Sequence, residues 1–551
     1  MSEPWLPVDH GSETGPLQGR VARGLTWTLI DTWGSQLLAL VIFVILARLL
    51  TEADFGLVTF AAVFIFFAQL IVDQGLGDAL IQRRSLTRSN IDTAFWVSMA
   101  TGTLLTLVGI LLAAPIAALL NEPSLEPILR VLSLTFVLTA LNSIQMALLR
   151  REMAFRSLAV RRLVAVAAGG AVGISLALLG YGVWALVAQQ LTYAAVSVLM
   201  LWRASPWRPS REFSLSDFRD LLGFGINVLA GDVLQFFSRH MDNLLIGIFL
   251  GLNPLGFYGV AYRILDTSQA LLVSAARKLA FPVFSRLQND PERLRRAYAR
   301  AARGLSVIFL PGFLGLALVA QEAIVVIFGQ RWAASAPVAA ILFLIGPVLT
   351  VQLFSGAVLN AVGHPEITFR IRLITAIVNV TGFLIAVTVF RDIVAVAAAF
   401  VIRGYLVVPL IMYLLKRYVG LPISAHFDQL RAPAIATALM AVAVLAVKFV
   451  LLGNVHNAVL LVAEVAVGAI VFAAAMTVLD RRLVTEMLTL LLQALPGGGR
   501  LGRRVGLPSA GAGRRSRRRE DDGEATSEGE GGPEDGQSLS ADGPAGRETN
   551  A

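Results

Sequence analysis

Long apolar stretches alternate with short polar gaps over residues 24–479 of this chain. Representative stretches occupy 37–50, 55–72 and 459–479, and with their flanks they approach the roughly 20 apolar residues that a helix needs to cross a bilayer. About fourteen such stretches can be counted, and some are short or polar enough that the number of spans is roughly twelve to fourteen. The pattern predicts an all-α polytopic membrane protein.

Arginine is concentrated in every second gap between the stretches. The gaps after stretches 2, 4, 6, 8, 10 and 12 hold dense groups, for example at 83–88, 150–162, 203–219 and 277–303. The intervening gaps carry only Arg48, Arg331 and Arg391. Because cytoplasmic loops retain Lys and Arg, the rich gaps are assigned inside, and both termini are expected to be cytoplasmic.

Composition agrees with a membrane location and excludes several functions. Of 551 residues 56% are apolar and 15% are charged, with a mean hydropathy of +0.71. The absence of cysteine excludes disulfides, thiolate metal sites and cysteine nucleophiles. The net charge of +9 arises from loop arginines rather than from one basic surface, so nucleic acid is not expected as a partner. No loop is long enough to fold alone, which places the function within the membrane.

An internal repeat recurs at a spacing of roughly two hundred residues. Residues 50–61 (LTEADFGLVTFA) align with 250–261 (LGLNPLGFYGVA), and 146–165 align in the same order with 356–376. Stretches 1–6 and 7–12 therefore look like two copies of one bundle, related as a parallel repeat because six spans is an even number. The predicted divisions are a cytoplasmic segment 1–23, an N-lobe 24–203, a C-lobe 204–418, two additional helices 419–482, and a tail 483–551.

The tail has the composition of a disordered segment. Beyond Pro496 the chain reads PGGGR, then a basic run at 514–519, then an acidic stretch rich in Gly, Ser and Glu. Such a sequence cannot bury enough apolar surface to order itself. Its basic run has the charge to rest on anionic lipid headgroups.

Polar and ionisable residues within the stretches are the candidate site, because such groups are costly at membrane depth. On stretch 7 they recur at intervals of 3, 4 and 3, which places them on one helical face, with Arg239 about 18 Å from the outer end. Planar, permanently charged guanidinium groups suit an anionic, phosphate-bearing ligand. The alternative is that Arg239 with Asp242 and Arg263 with Asp266 are local ion pairs that lock helices. The substrate-binding candidates are Asp232, Gln235, Arg239, Asp242, Arg263, Asp266 and Arg403.

The first copy offers two candidates for ion coupling. Asp31 lies within stretch 1 and Asp73 near the inner end of stretch 2, where burial would favour the neutral acid. Either could titrate in an H+ or Na+ coupling step, and a structural or capping role is the alternative. His240 is expected to pack or hydrogen-bond. Glu322, Lys448 and Glu464 stand singly in the sequence, and no catalytic, metal-binding or cofactor constellation is found.

Two motif blocks resemble a known family. The first block consists of residues 46–56 (LARLLTEADFG) and 73–83 (DQGLGDALIQR), and the second of residues 239–247 (RHMDNLLIG) and 255–263 (LGFYGVAYR). Both blocks are similar to signatures of the Wzx-like branch of the multidrug/oligosaccharidyl-lipid/polysaccharide exporter superfamily. The resemblance extends over about 24–418. It implies two six-helix lobes forming a V, two additional helices, and alternating access to a central cavity. In that family pattern Arg239 and Arg263 would contact a diphosphate or an anionic sugar.

The sequence therefore predicts a flippase rather than an enzyme. Its cargo would be an undecaprenyl-diphosphate-linked glycan crossing the cytoplasmic (inner) membrane, with membrane lipid and other polysaccharide-assembly proteins as partners. A cation-coupled multidrug exporter of the same architecture is the first alternative, although it would favour an acidic, aromatic cavity. An integral-membrane enzyme of glycan assembly and a scaffold acting through the charged tail are the others.

Overall fold

The protein is nearly all helical in the part that the computed structural model describes. The described residues are 27, 30–73, 77, 80–81, 86–288, 290–453, 455–481 and 483–485, with the backbone alone for 30, 73, 220–232 and 273–283. The first half of the chain begins with a π-helical turn, Ile30–Gly34, and continues through α1 (Ser35–Leu49), α2 (Glu52–Asp73), α3 (Arg88–Leu119), α4 (Leu125–Leu132), α5 (Leu134–Arg151), α6 (Phe155–Leu178) and α7 (Val183–Ala204).

The second half continues in the same manner. Its helices are α8 (Leu215–Phe249), α9 (Leu252–Arg286), α10 (Pro291–Leu318), α11 (Ala320–Phe328), α12 (Ser335–Phe343), α13 (Gly346–Ala361), α14 (Pro365–Ile385), α15 (Ile393–Val419), α16 (Ile423–Leu451) and α17 (Asn457–Leu479). A 3-10 turn, Gln330–Ala334, precedes α12, and a π-helical turn, Ala386–Phe390, follows α14.

The all-α membrane fold is confirmed, whereas the count of about fourteen spans is not. Among the described residues eleven helices are long and apolar enough to cross a membrane, or twelve if the pair Gln330–Phe343 and Gly346–Ala361, bent by 50°, is one span. The helices α8 and α9, with 35 residues each, correspond to stretches 7 and 8 and are not among these candidates. Both contain residues described by backbone alone.

Helix ends follow local sequence signals. Thr87 precedes α3 and forms a capping box with Asn90, in which each side chain accepts from the other residue's backbone N–H, at 3.3 and 3.2 Å. At the start of α15 the Asp392 side chain accepts from the Val394 N–H at 3.2 Å. Gly420 ends that helix with φ of 70°, a left-handed conformation that glycine adopts without a Cβ clash.

The two repeat copies meet through a reciprocal contact between α2 and α9. Gly56 packs against the backbone of Leu252, and Gly256 packs against the backbone of Glu52. The sequence repeat pairs Gly56 with Gly256 and Glu52 with Leu252, so each copy presents the same two positions to the other. A two-fold relation between neighbouring helices produces this kind of exchange.

A second contact joins the copies at the end of the helices that the arginine pattern predicts to be outside. Arg48, near the end of α1, donates from Nε to the Ile327 carbonyl at 2.8 Å and from Nη2 to the Val326 carbonyl at 2.6 Å. Two hydrogen bonds run in the opposite direction, from the segment after α11 to the end of α1. Arg331 Nη1 donates to the Leu50 carbonyl at 3.0 Å, and Trp332 Nε1 donates to the Ala47 carbonyl at 2.8 Å. We call these four hydrogen bonds the outer contact.

The segment between α7 and α8 is held against the start of α3. Asp92, fully buried, accepts a hydrogen bond from the Ser210 hydroxyl, and Trp96 Nε1 donates to the Ser210 carbonyl at 2.7 Å. The Ser214 N–H donates to Thr93 Oγ1 at 3.0 Å. This segment, the longest predicted cytoplasmic connection in this part of the chain, is thus packed against α3.

The described residues 480–481 and 483–485 belong to a second unit. In its described part the Asp480 side chain accepts from the Leu483 N–H at 3.2 Å. The predicted disordered tail beyond Pro496 and the predicted N-terminal segment 1–23 lie outside the described residues.

Candidate functional site

A cavity of about 1040 Å³ opens among helices of the first copy and the beginning of the second. Helices α1, α2, α5, α6 and α7 form most of its wall, and α8 and α9 complete it. Amide side chains are prominent in the lining, at Gln36, Gln69, Asn142, Gln189, Gln190 and Asn243. Amides donate and accept hydrogen bonds, so this wall can bind a ligand rich in hydroxyl groups.

The charged lining is mostly positive. Four arginines and one aspartate face the cavity, a formal excess of 4 − 1 = 3 positive charges: Arg150, Arg161, Arg162, Arg263 and Asp266. Low-dielectric walls around one sign of charge strengthen the local potential. The cavity therefore favours an anionic group over a cation.

Two of these arginines belong to α6. Arg161 is 8% exposed and donates from Nη1 to Ser197 Oγ at 2.8 Å. Arg162 Nη1 lies 3.8 Å from Asp31 Oδ2. The sequence analysis counted both arginines among the cytoplasmic gap residues, but α6 begins at Phe155, so they are already in its second turn. Their position after the Phe155 start and directly before an apolar run was the available signal.

Arg263 and Asp266 reach the cavity from α9, as the sequence analysis proposed for an anion-binding site. The Arg263 guanidinium lies 6.0 Å from the Phe43 ring centroid on α1, a cation–π contact between the two copies. The ion pairs found among the described side chains do not join Arg263 with Asp266 or Arg239 with Asp242. Arg263 and Asp266 nevertheless interact electrostatically.

Asp242 is a structural residue in this arrangement. It is 1% exposed, and its Oδ2 accepts from the Tyr258 hydroxyl at 2.8 Å while Oδ1 accepts from the Asn243 N–H at 2.8 Å. Tyr258 lies on α9, so the bond fixes α8 against its neighbour. Asp242 is outside the cavity lining.

Three of the remaining candidates, Gln235, Arg239 and Arg403, lie outside the cavity lining, although Arg239 interacts electrostatically with Asp266 and Arg403 with Asp242. Gln235 and Arg239 are exposed on α8, and the side chain of Asp232 lies outside the described residues. Arg403 on α15 places its guanidinium 4.7 Å from the Phe400 ring centroid, and its buried Nε has no hydrogen-bond partner among the described residues. Gln235, Arg239 and Arg403 do not line the cavity.

The structure describes the side chain of one of the two coupling candidates. Asp31 lies beside the cavity arginine Arg162, so its charge is partly matched. The side chain of Asp73 lies outside the described residues. His240 contacts the rings of Phe66 and Phe236, with centroids at 5.4 and 5.0 Å, which agrees with the predicted packing role.

Two charged residues without a sequence neighbour of opposite charge are paired in the structure. Lys448 and Glu322, which stand singly in the sequence, are joined by a bond from Nζ to Oε2 of 2.9 Å. The partners are more than a hundred residues apart, and only the packing of α16 against the α10–α11 region brings them together. Spacing along the chain carries no signal for such a pair.

The fold and the cavity define a multi-pass helical membrane protein with a polar, positively charged interior. Residues 45–337, more than half of the chain, match the polysaccharide biosynthesis protein family, and the chain belongs to this family.

The relatives align with most of this chain. The succinoglycan biosynthesis transport protein ExoT of Rhizobium meliloti is 29% identical over 480 residues, which cover 85% of this chain and 95% of that protein. The teichuronic acid biosynthesis protein TuaB of Bacillus subtilis is 25% identical over 436 residues, covering 77% and 88% of the two chains. The lipid II flippase MurJ in an inward closed conformation superposes with a TM-score of 0.70 at 14% identity, covering 84% of this chain and 100% of that one. This last likeness establishes a shared fold.

Proposed function

We propose that this protein is a flippase that moves a lipid-linked glycan across the cytoplasmic membrane for cell-surface polysaccharide biosynthesis. The observation that carries the proposal is the cavity, with a net excess of arginine and a wall of amides. Arginine suits a diphosphate, and amides suit sugar hydroxyls. The family and the relatives named for succinoglycan transport and teichuronic acid biosynthesis support the same class of cargo.

Transport proceeds by alternating access between two lobes, 24–203 and 204–418, with 419–482 as additional helices. The sugar-diphosphate head occupies the wet cavity while the lipid tail stays in the bilayer. The outer contact keeps the outer end closed in this state, so the head enters from the cytoplasmic side. The arginine-rich gaps support cytoplasmic termini.

Arg263, Arg161 and Arg162 are the proposed diphosphate contacts, since they line the cavity and stay charged when desolvated. Arg239 and Arg403, outside the lining in this state, are proposed to meet the cargo in another conformation. Asp31 and Asp73 remain proposed H+ or Na+ coupling residues. Other polysaccharide-assembly proteins are proposed partners.

The test removes cavity arginines and measures surface polysaccharide in cells. A hydrogen bond to a charged group contributes about 1.5–3 kcal/mol, so Arg263→Ala and Arg162→Gln should each weaken cargo binding by roughly tenfold to a hundredfold. Export should fall without loss of protein from the membrane. Arg130→Ala is the matched control, because Arg130 is exposed outside the cavity and paired with Glu126 at 2.6 Å. Normal polysaccharide in both cavity variants would overturn the cavity assignment.

The arginine-rich cavity argues against a cation-coupled multidrug exporter, which needs an acidic lining. Glycosyl transfer or polymerisation by the purified protein would instead support a membrane enzyme. Deletion of 497–551 tests the scaffold alternative, and we expect export to persist.

A further inference from the structure

Three ionisable side chains meet outside the cavity, where α11, α16 and α17 pack together. Lys448 Nζ donates to Glu322 Oε2 at 2.9 Å and to the Leu318 carbonyl at 3.1 Å. Glu464 on α17 is 0% exposed and interacts electrostatically with both Glu322 and Lys448. Neither Glu464 carboxylate oxygen has a hydrogen-bond partner among the described residues. We call these three residues the outer cluster.

The packing directs Glu464 toward its neighbours rather than toward lipid. The buried residues of α17 are Leu460, Glu464, Gly468 and Met476, all on one face, and that face packs on Val444 and Met440 of α16. The surroundings are otherwise apolar, with Val319 from the α10–α11 junction in the same cluster.

The charges of the outer cluster do not balance when every group is ionised. Two carboxylates face one ammonium group, leaving one negative charge. An ionised carboxylate buried without hydrogen bonds is strongly unfavourable, so a cation must compensate it. The final residues of α10, 304–318, contribute no charged side chain, and His456 caps the start of α17 by accepting from the Ala458 N–H.

We propose that the outer cluster is a proton-binding site, with Glu464 as the proton acceptor and the Glu322–Lys448 pair as its electrostatic partner. A proton is favoured over a metal cation because a hard cation needs several oxygen ligands. Among the described residues no group of three or more His, Cys, Asp or Glu side chains could hold a metal ion. Lys448 is 24% exposed and lies three residues before the end of α16 on the predicted outer side, where we place the entry of the proton.

The outer cluster is connected to the outer contact through a single short helix. Glu322 lies in the first turn of α11, and the carbonyls of Val326 and Ile327 near the other end accept the two hydrogen bonds from Arg48. When Glu464 loses its proton, its carboxylate competes with Glu322 for the Lys448 ammonium. The bond between Glu322 and Lys448 then weakens and the two carboxylates repel each other, which shifts α11 and loosens its hold on Arg48. Proton binding thus favours the closed outer contact seen in this structure.

The inference that this site couples proton binding to transport rests on the proposed function. The effect of proton binding on the outer contact is measured without cargo and does not depend on that function. The cysteine-free chain allows spin labels at Ala53→Cys and Gln330→Cys, both exposed residues beside the outer contact. The full chain in lipid nanodiscs, without cargo, is measured from acidic to alkaline pH. The longer label distance should become more populated as pH rises, by at most about tenfold per pH unit for one proton.

Matched variants identify the group that titrates. Glu464→Gln, an uncharged isostere, should keep the short distance at every pH, and Glu464→Asp should restore the pH response. Glu126→Gln removes a partly exposed carboxylate paired on the predicted outer side and should titrate like the unmodified protein. A pH-independent distance in the unmodified protein, or an unchanged response in Glu464→Gln, would overturn the proposal. A response to added sodium at constant pH would overturn the choice of a proton. If the protein does not export a glycan but the label distances respond to pH as described, the proposed function is wrong and the proton-binding site still holds.

Discussion

The reciprocal glycine contact between α2 and α9 makes a quantitative prediction. A Cβ on Gly56 would lie 2.7 Å from the Leu252 carbonyl carbon, and one on Gly256 would lie 2.8 Å from the Glu52 carbonyl carbon. Carbon atoms in favourable contact are about 3.5–4.0 Å apart, and the carbonyl oxygens would lie closer to the new Cβ than these carbons, so either alanine must separate the two backbones by more than about 0.7 Å. The obstructing atoms are backbone, which cannot rotate away. The cost should therefore reach the upper part of the range for overpacking, about 3 kcal/mol.

The assay is the thermal denaturation midpoint of purified protein in detergent, read by size-exclusion chromatography. Gly56→Ala and Gly256→Ala should each lower the midpoint, and the double variant should lower it by less than the sum because the first substitution already parts the helices. Gly312→Ala is the control, since its Cβ would meet nothing within 4 Å and alanine is better in a helix by about 1 kcal/mol. Equal midpoints for Gly56→Ala, Gly312→Ala and the unmodified protein would refute the close approach.

Three further predictions concern polar contacts. Arg48→Met removes two hydrogen bonds of the outer contact, so a cysteine placed beside it should react faster with an impermeant thiol reagent; an unchanged rate would contradict its closing role. Asp92→Ala leaves the Ser210 hydroxyl without its acceptor, at about 1–3 kcal/mol, and should speed tryptic cleavage after Arg211. Glu126→Ala, which removes a carboxylate on the predicted outer side and leaves the residues around the cleaved bond unchanged, should not. Asp31→Asn removes the carboxylate beside the Arg162 guanidinium, so binding of inorganic diphosphate at low salt, measured by calorimetry, should tighten by about fivefold at most. Weaker binding would count against the pairing of Asp31 with Arg162.

Local sequence features predicted most of the fold. The length of each apolar stretch, the capping residues and the alternating arginines are properties of short segments, so the helices and their membrane location could be read directly. The sequence repeat paired Gly56 with Gly256, and the structure shows that these two glycines make equivalent contacts. Part of the cavity was predictable too, because Arg263 and Asp266 are charges inside an apolar stretch.

The tertiary structure decided which charged residues share a site. Membrane helices are apolar on all sides, so periodicity does not distinguish a lipid-facing side from one that packs on protein. Arg161 and Arg162 therefore looked like loop arginines, although both line the cavity. Glu322, Lys448 and Glu464 looked isolated because their meeting depends on how distant helices pack. The sequence by itself determined that this chain crosses a membrane as a repeated helical bundle. Only the packing of its helices decided where positive charge and protonatable groups gather, since those contacts join residues far apart in the chain.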